Sequence, residues 1–298
     1  MKKSFFLLMT ISLCLLGMVQ AVAQTPAPGA PPAVLQIFRE EVKQGKNAAH
    51  ETVEAGYVQA FTKAKFPSYY LGMAAVSGPN EAWFTVAYDS FAALEKDRQS
   101  IEKTPALAQQ LAQLDQQDGE FRTGGRILLA VYRRELSIRP DRVMANVPRS
   151  RYFNILTARA RPGRDAEFAQ AIRIYLAALE KADENAAGAA YQVVSGAPAG
   201  TYLFFIPMKS LQEIDANRAR ESAVNQALGA EDGQKLLKLI SEVFLTNESA
   251  IFAFSPKMSY VSKEFAAADP DFWTPKPKAA AKPAAAPKKQ ADKAGANQ

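Results

Sequence analysis

The sequence predicts an α+β fold: two tandem ferredoxin-like βαββαβ modules whose antiparallel sheets face each other as an intrachain α/β barrel. Three observations predict it. The stretch Val76–Ser90 reads as two strands joined by a polar turn, and it returns as Val194–Ser210. The elements around it return in register: Tyr152-Phe153-Asn154-Ile155-Leu156 falls on Val34–Phe38, Gly163 on Gly45 and Ser195-Gly196 on Ser77-Gly78, all 118 positions apart. Finally, the strand after each turn is apolar on both faces. Ala82, Phe84, Val86 and Tyr88 make one face, and the other also carries bulk, with Trp83 matched by Leu203 and Thr85 by Phe205. A sheet with one face in water would alternate with polar residues, so each sheet needs a second apolar cover, which the other module supplies.

Each element follows in order. Val34–Val42 is strand-like and closes at Gly45. Asn47 is placed to cap a helix in which Val53, Gly56, Tyr57, Ala60, Phe61 and Ala64 recur at helical spacing, and Pro67 ends it. The hairpin strands occupy 69–76 and 81–89, and Ser90 starts a second helix. Thr104-Pro105 sets a proline at a first helical position and divides that region into two helical pieces. Arg126–Tyr132 is the closing strand. In the second copy Ser210-Leu211-Gln212-Glu213 has the form of a capping box, Leu236, Leu237, Ile240, Val243 and Phe244 form the helical stripe, and Ala250–Ser255 closes the unit. The order strand, helix, strand, strand, helix, strand is the split βαβ arrangement, with both helices on one face of an antiparallel sheet.

The modules are expected at 34–140 and 152–265, with a linker at 141–151. Met1-Lys2-Lys3, an apolar run from Phe5 to Val19 and Ala21-Val22-Ala23 read as a secretory signal peptide over 1–23, and 24–33 as a proline-rich spacer. Periplasmic or secreted localisation follows. The single cysteine, Cys14, lies in the leader, so the mature chain is expected to have no disulfide and no thiol ligand or nucleophile. Residues 266–298 hold an anchor, Pro270-Asp271-Phe272-Trp273, and then a Lys/Ala/Pro tail that cannot bury enough apolar surface to order itself. The formal charge of +6 belongs to these ends. Without the two leader lysines and the tail's +5, the folded part carries −1. That balance excludes a basic nucleic-acid-binding domain. The tail is either a solubilising extension or a weak, salt-dependent tether to anionic envelope surfaces.

The glycine after each first strand (Gly45, and Gly163 in Pro162-Gly163-Arg164), the helices with Tyr57 and Tyr175, and the Ser-Gly hairpins running into Trp83 or Leu203 resemble the dimeric α/β-barrel superfamily. The likeness is greatest to its NIPSNAP-like and antibiotic-biosynthesis-monooxygenase-like members and covers about residues 34–261. That superfamily includes cofactor-free oxygenases, haem-binding enzymes and proteins without known activity, so the resemblance implies a fold and leaves the chemistry open.

Candidate site residues are few. His50 is the only histidine and is placed to act as a general base beside a pocket lined by Tyr57 and Trp83. Its match in the second copy is Phe168, so a packing role for a flat ring stands beside the catalytic one. Gln36 and Asn154 are matched amides in apolar strands. They either line a cavity between the sheets or bond to each other across it. No metal or cofactor is expected: a lone histidine leaves only carboxylates as zinc partners, and Asn154 and Trp83, which haem-degrading relatives combine with His, fall in different copies. No close pair of carboxylates stands out. The functional expectation is an exported protein that binds a small apolar or aromatic molecule between its modules. The alternatives are a cofactor-independent monooxygenase-like enzyme and an envelope-associated interaction protein.

Overall fold

The computed structural model describes residues 29–274. The predicted signal peptide, the first half of the spacer and the Lys/Ala/Pro tail lie outside the described residues. The chain runs β1 (Val34–Val42), α1 (Asn47–Ala64), β2 (Tyr70–Ala75), β3 (Glu81–Tyr88), α2 (Phe91–Glu102), α3 (Pro105–Asp118) and β4 (Arg122–Tyr132). After α4 (Pro140–Asn146) come β5 (Tyr152–Ala160), α5 (Asp165–Ala182), β6 (Ala189–Ser195), β7 (Thr201–Met208), α6 (Gln212–Val243) and β8 (Phe244–Phe254). Two short helices, α7 (Lys263–Ala267) and α8 (Pro270–Trp273), finish it. None of the described helices is long and apolar enough to cross a membrane.

The eight strands close into one antiparallel barrel in the order β1-β3-β2-β8-β5-β7-β6-β4. The two sheet halves therefore join edge to edge, through β2–β8 and β4–β6, and closure leaves no unpaired edge. Strand alternation sends Leu35, Ile37, Met73, Trp83, Leu128, Phe153, Ile155, Leu203, Phe205 and Phe252 into one buried interior cluster. The second apolar face of each strand is this barrel interior; the first face lies under the helices.

The paired Ser-Gly turns have a shared structural use. Val76 N–H donates to the Ile251 carbonyl at 2.7 Å and Ile251 N–H to Ser77 Oγ at 2.9 Å, which pins the first hairpin to β8. The second hairpin presses Gly196, at φ +89°, against β4, where a Cβ would overlap the Ile127 carbonyl oxygen. Only glycine tolerates that φ and that approach together.

Several local expectations change. Asn47 does not cap α1; it is the first helical residue, and its amide exchanges hydrogen bonds with Asn80. The expected capping box of α6 forms otherwise, because Glu213 accepts from the Lys209 N–H and not from Ser210. Segment 141–151 packs onto the barrel: Val143 of α4 and Val147 are buried in the interior cluster. At the chain's far end Trp273 Nε1 donates to the Pro148 carbonyl at 2.7 Å, and the Arg151 guanidinium lies 4.0 Å over the Phe272 ring.

Candidate site under the first helical layer

A cavity of about 900 Å³ lies on the outer face of the barrel, between β1, β3 and β4 and the helices α1, α2 and α3. Register explains its floor. Gln36 pairs with Val86, Phe38 with Phe84 and Glu40 with Ala82, so the outward residues of β1 and β3 lie side by side. The walls add Tyr57, Phe61, Phe66 and Tyr70. At the Val34/Tyr88 end, Asp97 accepts from Ser68 Oγ at 2.5 Å and from the Tyr88 hydroxyl at 2.9 Å.

The opposite end is ionic. His50, 2% exposed, sits in the first turn of α1 with Nε2 2.9 Å from Glu40 Oε2 and 3.5 Å from Asp118 Oδ1. Arg122, at the start of β4, reaches Glu40 Oε1 at 2.9 Å, Asp115 at 2.8 Å and Asp118 Oδ2 at 2.7 Å. Glu54, one helical turn beyond His50, is buried beside them. Burial, with Glu40 and Asp118 nearby, holds its carboxyl well above the usual carboxylate range. Burial also raises Asp118, to about 6; His50 and Arg122 oppose that rise and Glu40 adds to it. The Tyr57 hydroxyl is likewise raised, by burial first and by Glu54 second, and stays protonated.

The predicted residues separate. Gln36 and Tyr57 line the cavity. His50 stands behind its wall and meets it through Glu40 and Glu54. Trp83 is on the other side of the sheet, inside the barrel: Phe252 packs at 4.8 Å, its Nε1 donates to Glu81 at 2.6 Å, and the Arg39 guanidinium covers its ring at 4.5 Å. Asn154 faces outward from β5 and accepts from Ser249 Oγ at 2.7 Å, so it neither meets Gln36 nor shares its cavity. The barrel interior, where a ligand was expected, is filled by side chains, with a smaller pocket of about 280 Å³ at its α4 end. The expectation of no close carboxylates fails too. Glu40, Glu54 and Asp118 converge on His50, each offering an atom within 4.8 Å of the others.

Positions equivalent by place in their elements show what the fold itself does not need. Glu40 and Ala158 are seventh in β1 and β5; His50 and Phe168 are fourth in α1 and α5, and Glu54 and Ile172 eighth. Arg122 and Phe244 open β4 and β8. In the second half these residues pack as apolar core, with Phe168 stacked at 4.5 Å on Tyr202 and 4.7 Å from Phe244. This mismatch is the signal that sequence comparison of the two halves offered and that reading motifs one at a time missed.

An anthrone oxidase-like protein of solved structure is similar in fold: it is 11% identical, covers 79% of this chain and 96% of its own, and has a TM-score of 0.53. The likeness is one of fold, a closed antiparallel barrel with helices packed outside it. A proposed monooxygenase from Fusobacterium nucleatum subsp. nucleatum (12% identity, 75% of this chain and 93% of its own, TM-score 0.48) and a chlorite dismutase variant from Candidatus Nitrospira defluvii (11%, 76% and 92%, 0.46) are more distant. No family model and no curated protein matches the chain.

Proposed function

We propose that the protein binds a small, flat aromatic or apolar molecule in the cavity beneath α1, α2 and α3, with any polar group of the ligand directed at the Glu40/Glu54/Arg122 end. The observation that carries this reading is the cavity itself: about 900 Å³, walled by Phe38, Tyr57, Phe61, Phe66, Tyr70 and Phe84, and ending in buried ionisable groups. Sites for small molecules have this size and this mixture of apolar wall and few polar groups. A polycyclic phenol such as 2-naphthol is the test ligand, followed by its own fluorescence. Saturable binding of one molecule per chain is expected in the wild type, and its loss in Val86→Trp, which fills the floor. Equal binding by the filled variant sinks the reading.

A second reading is an enzyme of the cofactor-independent oxygenase kind, and Glu54 favours it. Burial and the neighbouring Glu40 and Asp118 raise its pKa, so in its ionised form it is a stronger base than an ordinary carboxylate. It would take a proton from an acidic C–H or phenol of the ligand, leaving a carbanion or phenolate for dioxygen. His50 would support it as a positioning residue, without Trp83. Oxygen uptake with polycyclic phenols, absent in Glu54→Gln, tests it.

The same reading takes the chain as two copies of one βαββαβ unit, nearest to the NIPSNAP-like or antibiotic-biosynthesis-monooxygenase-like members, of which the first copy kept a polar pocket. Export rests on the leader sequence alone. The mass of the mature N-terminus tests it, and envelope fractionation after deleting residues 274–298 tests the tail as a tether.

A further inference from the structure

We propose that Glu40, His50, Glu54 and Asp118 form a binding site for a divalent first-row cation of the Mn²⁺ or Zn²⁺ type. The site lies at the cavity's ionic end, and the proposal does not depend on an organic ligand being bound there.

Geometry comes first. The four donor atoms lie within 4.8 Å of one another. Around a cation with bonds of about 2.1 Å, opposite donors stand about 4.2 Å apart. Closing the set on an ion therefore takes side-chain movements of about an ångström or less. Arg122 prepares this closure. It holds Glu40 by Oε1 and stands beside Asp118 Oδ2, which leaves Glu40 Oε2 and Asp118 Oδ1 turned toward His50 Nε2. Groups that grip the far oxygen of a ligating carboxylate are a regular outer layer of metal sites.

A separate observation points to a missing partner. Asp118 is 1% exposed, yet neither of its oxygens accepts a hydrogen bond. The Arg122 Nε contact at 2.7 Å is close enough for an ion pair, but it is too poorly aligned to be a hydrogen bond. A carboxylate buried in that state is costly unless something else satisfies it. Formal charge agrees. Glu40, Asp115 and Asp118 share the one guanidinium of Arg122, so the cluster carries excess negative charge that a divalent cation would offset. The donors are one imidazole nitrogen and three carboxylate oxygens with no thiolate, a set suited to hard and borderline ions and not to Cu(I). The second half of the barrel carries Ala158, Phe168 and Ile172 at the equivalent positions and packs without charge, so the cluster is not a requirement of the fold.

The test uses the full mature chain without a histidine tag, stripped with chelator and titrated with MnCl₂ or ZnCl₂ alone by calorimetry at pH 7.5. One equivalent per chain is expected, with a rise in thermal midpoint. Asp118→Asn and Glu54→Gln should each weaken binding at least tenfold, and Glu51→Gln, on the same helix but outside the cluster, should not. Electron paramagnetic resonance of Mn²⁺ gives a second readout: the free-ion signal should fall in the wild type and return in Glu54→Gln. Substoichiometric binding, or binding that Asp118→Asn and Glu54→Gln leave unchanged, means adventitious surface carboxylates only and overturns the proposal. The 2-naphthol titration is scored separately, so loss of one reading is not loss of the other.

Discussion

His50 Nε2 and Glu40 Oε2 stand 2.9 Å apart, joining α1 to β1 across the layer where the second half places Phe168 over Ala158. That pair and its neighbours put buried charge where the fold elsewhere uses hydrocarbon, and two consequences of it can be measured.

The first concerns pH. Asp118 has its carboxyl raised from 3.8 to about 6, by burial above all. Between about pH 4 and pH 6 the folded state binds more protons at this residue than the unfolded chain does, so this contribution to stability falls as pH rises through that window and is flat above it. The penalty at pH 7.5 is on the order of 2–3 kcal/mol. Asp118→Asn should therefore gain in thermal midpoint relative to wild type at pH 7.5 and not at pH 4.5. A constant difference across pH would contradict this.

Arg122 is the cation that Glu40 and Asp118 share. Arg122→Met leaves both carboxylates in a buried setting without it, and a loss of about 3 kcal/mol at pH 7.5 is expected. Part of that loss should return at pH 5, where Asp118 can take up a proton. Urea unfolding at the two pH values measures both.

Trp83 belongs to the barrel interior. Trp83→Phe removes the Nε1 bond to Glu81 and part of the cover over Phe252, which should cost about 1–3 kcal/mol. Binding of 2-naphthol should be unchanged, because the ring lies on the opposite side of the sheet from the cavity. Altered affinity with an intact fold would return Trp83 to the site.

The two hairpin glycines should differ. Gly196→Ala meets both a positive φ and the Ile127 backbone at the β4–β6 seam, whereas Gly78→Ala meets a positive φ and only ordinary contact with Ala250. The second should cost about 1 kcal/mol. The first should cost several times as much and expose the Ile127 and Leu128 amides to hydrogen exchange.

Much of the fold was legible in the chain order. Alternation with bulk on both faces of 81–88 and 201–208 called for two covers, and the barrel interior and helical layer are those covers. Thr104-Pro105 divided α2 from α3, and Ser90 caps α2 by accepting from the Ala93 N–H at 3.1 Å. Less of the site was legible. His50 and Tyr57 could be placed on one face of α1 because residue type and helical spacing are local properties. Trp83 and Asn154 were assigned to a pocket because alternation says that a residue shares a face, not whether that face is packed or open.

The linear order of residues determined the element types and the inward and outward sides of each strand, because these depend on periods of two and 3.6 residues. Tertiary structure alone decided that the open space lies under α1–α3, and that Glu40, Glu54 and Asp118 surround one imidazole. Asp118 and Arg122 are far from Glu40 in sequence. Only the β1–β4 pairing, with Val42 opposite Arg122, brings their charges within a few ångströms, and Coulomb energy depends on that separation and on the burial around it.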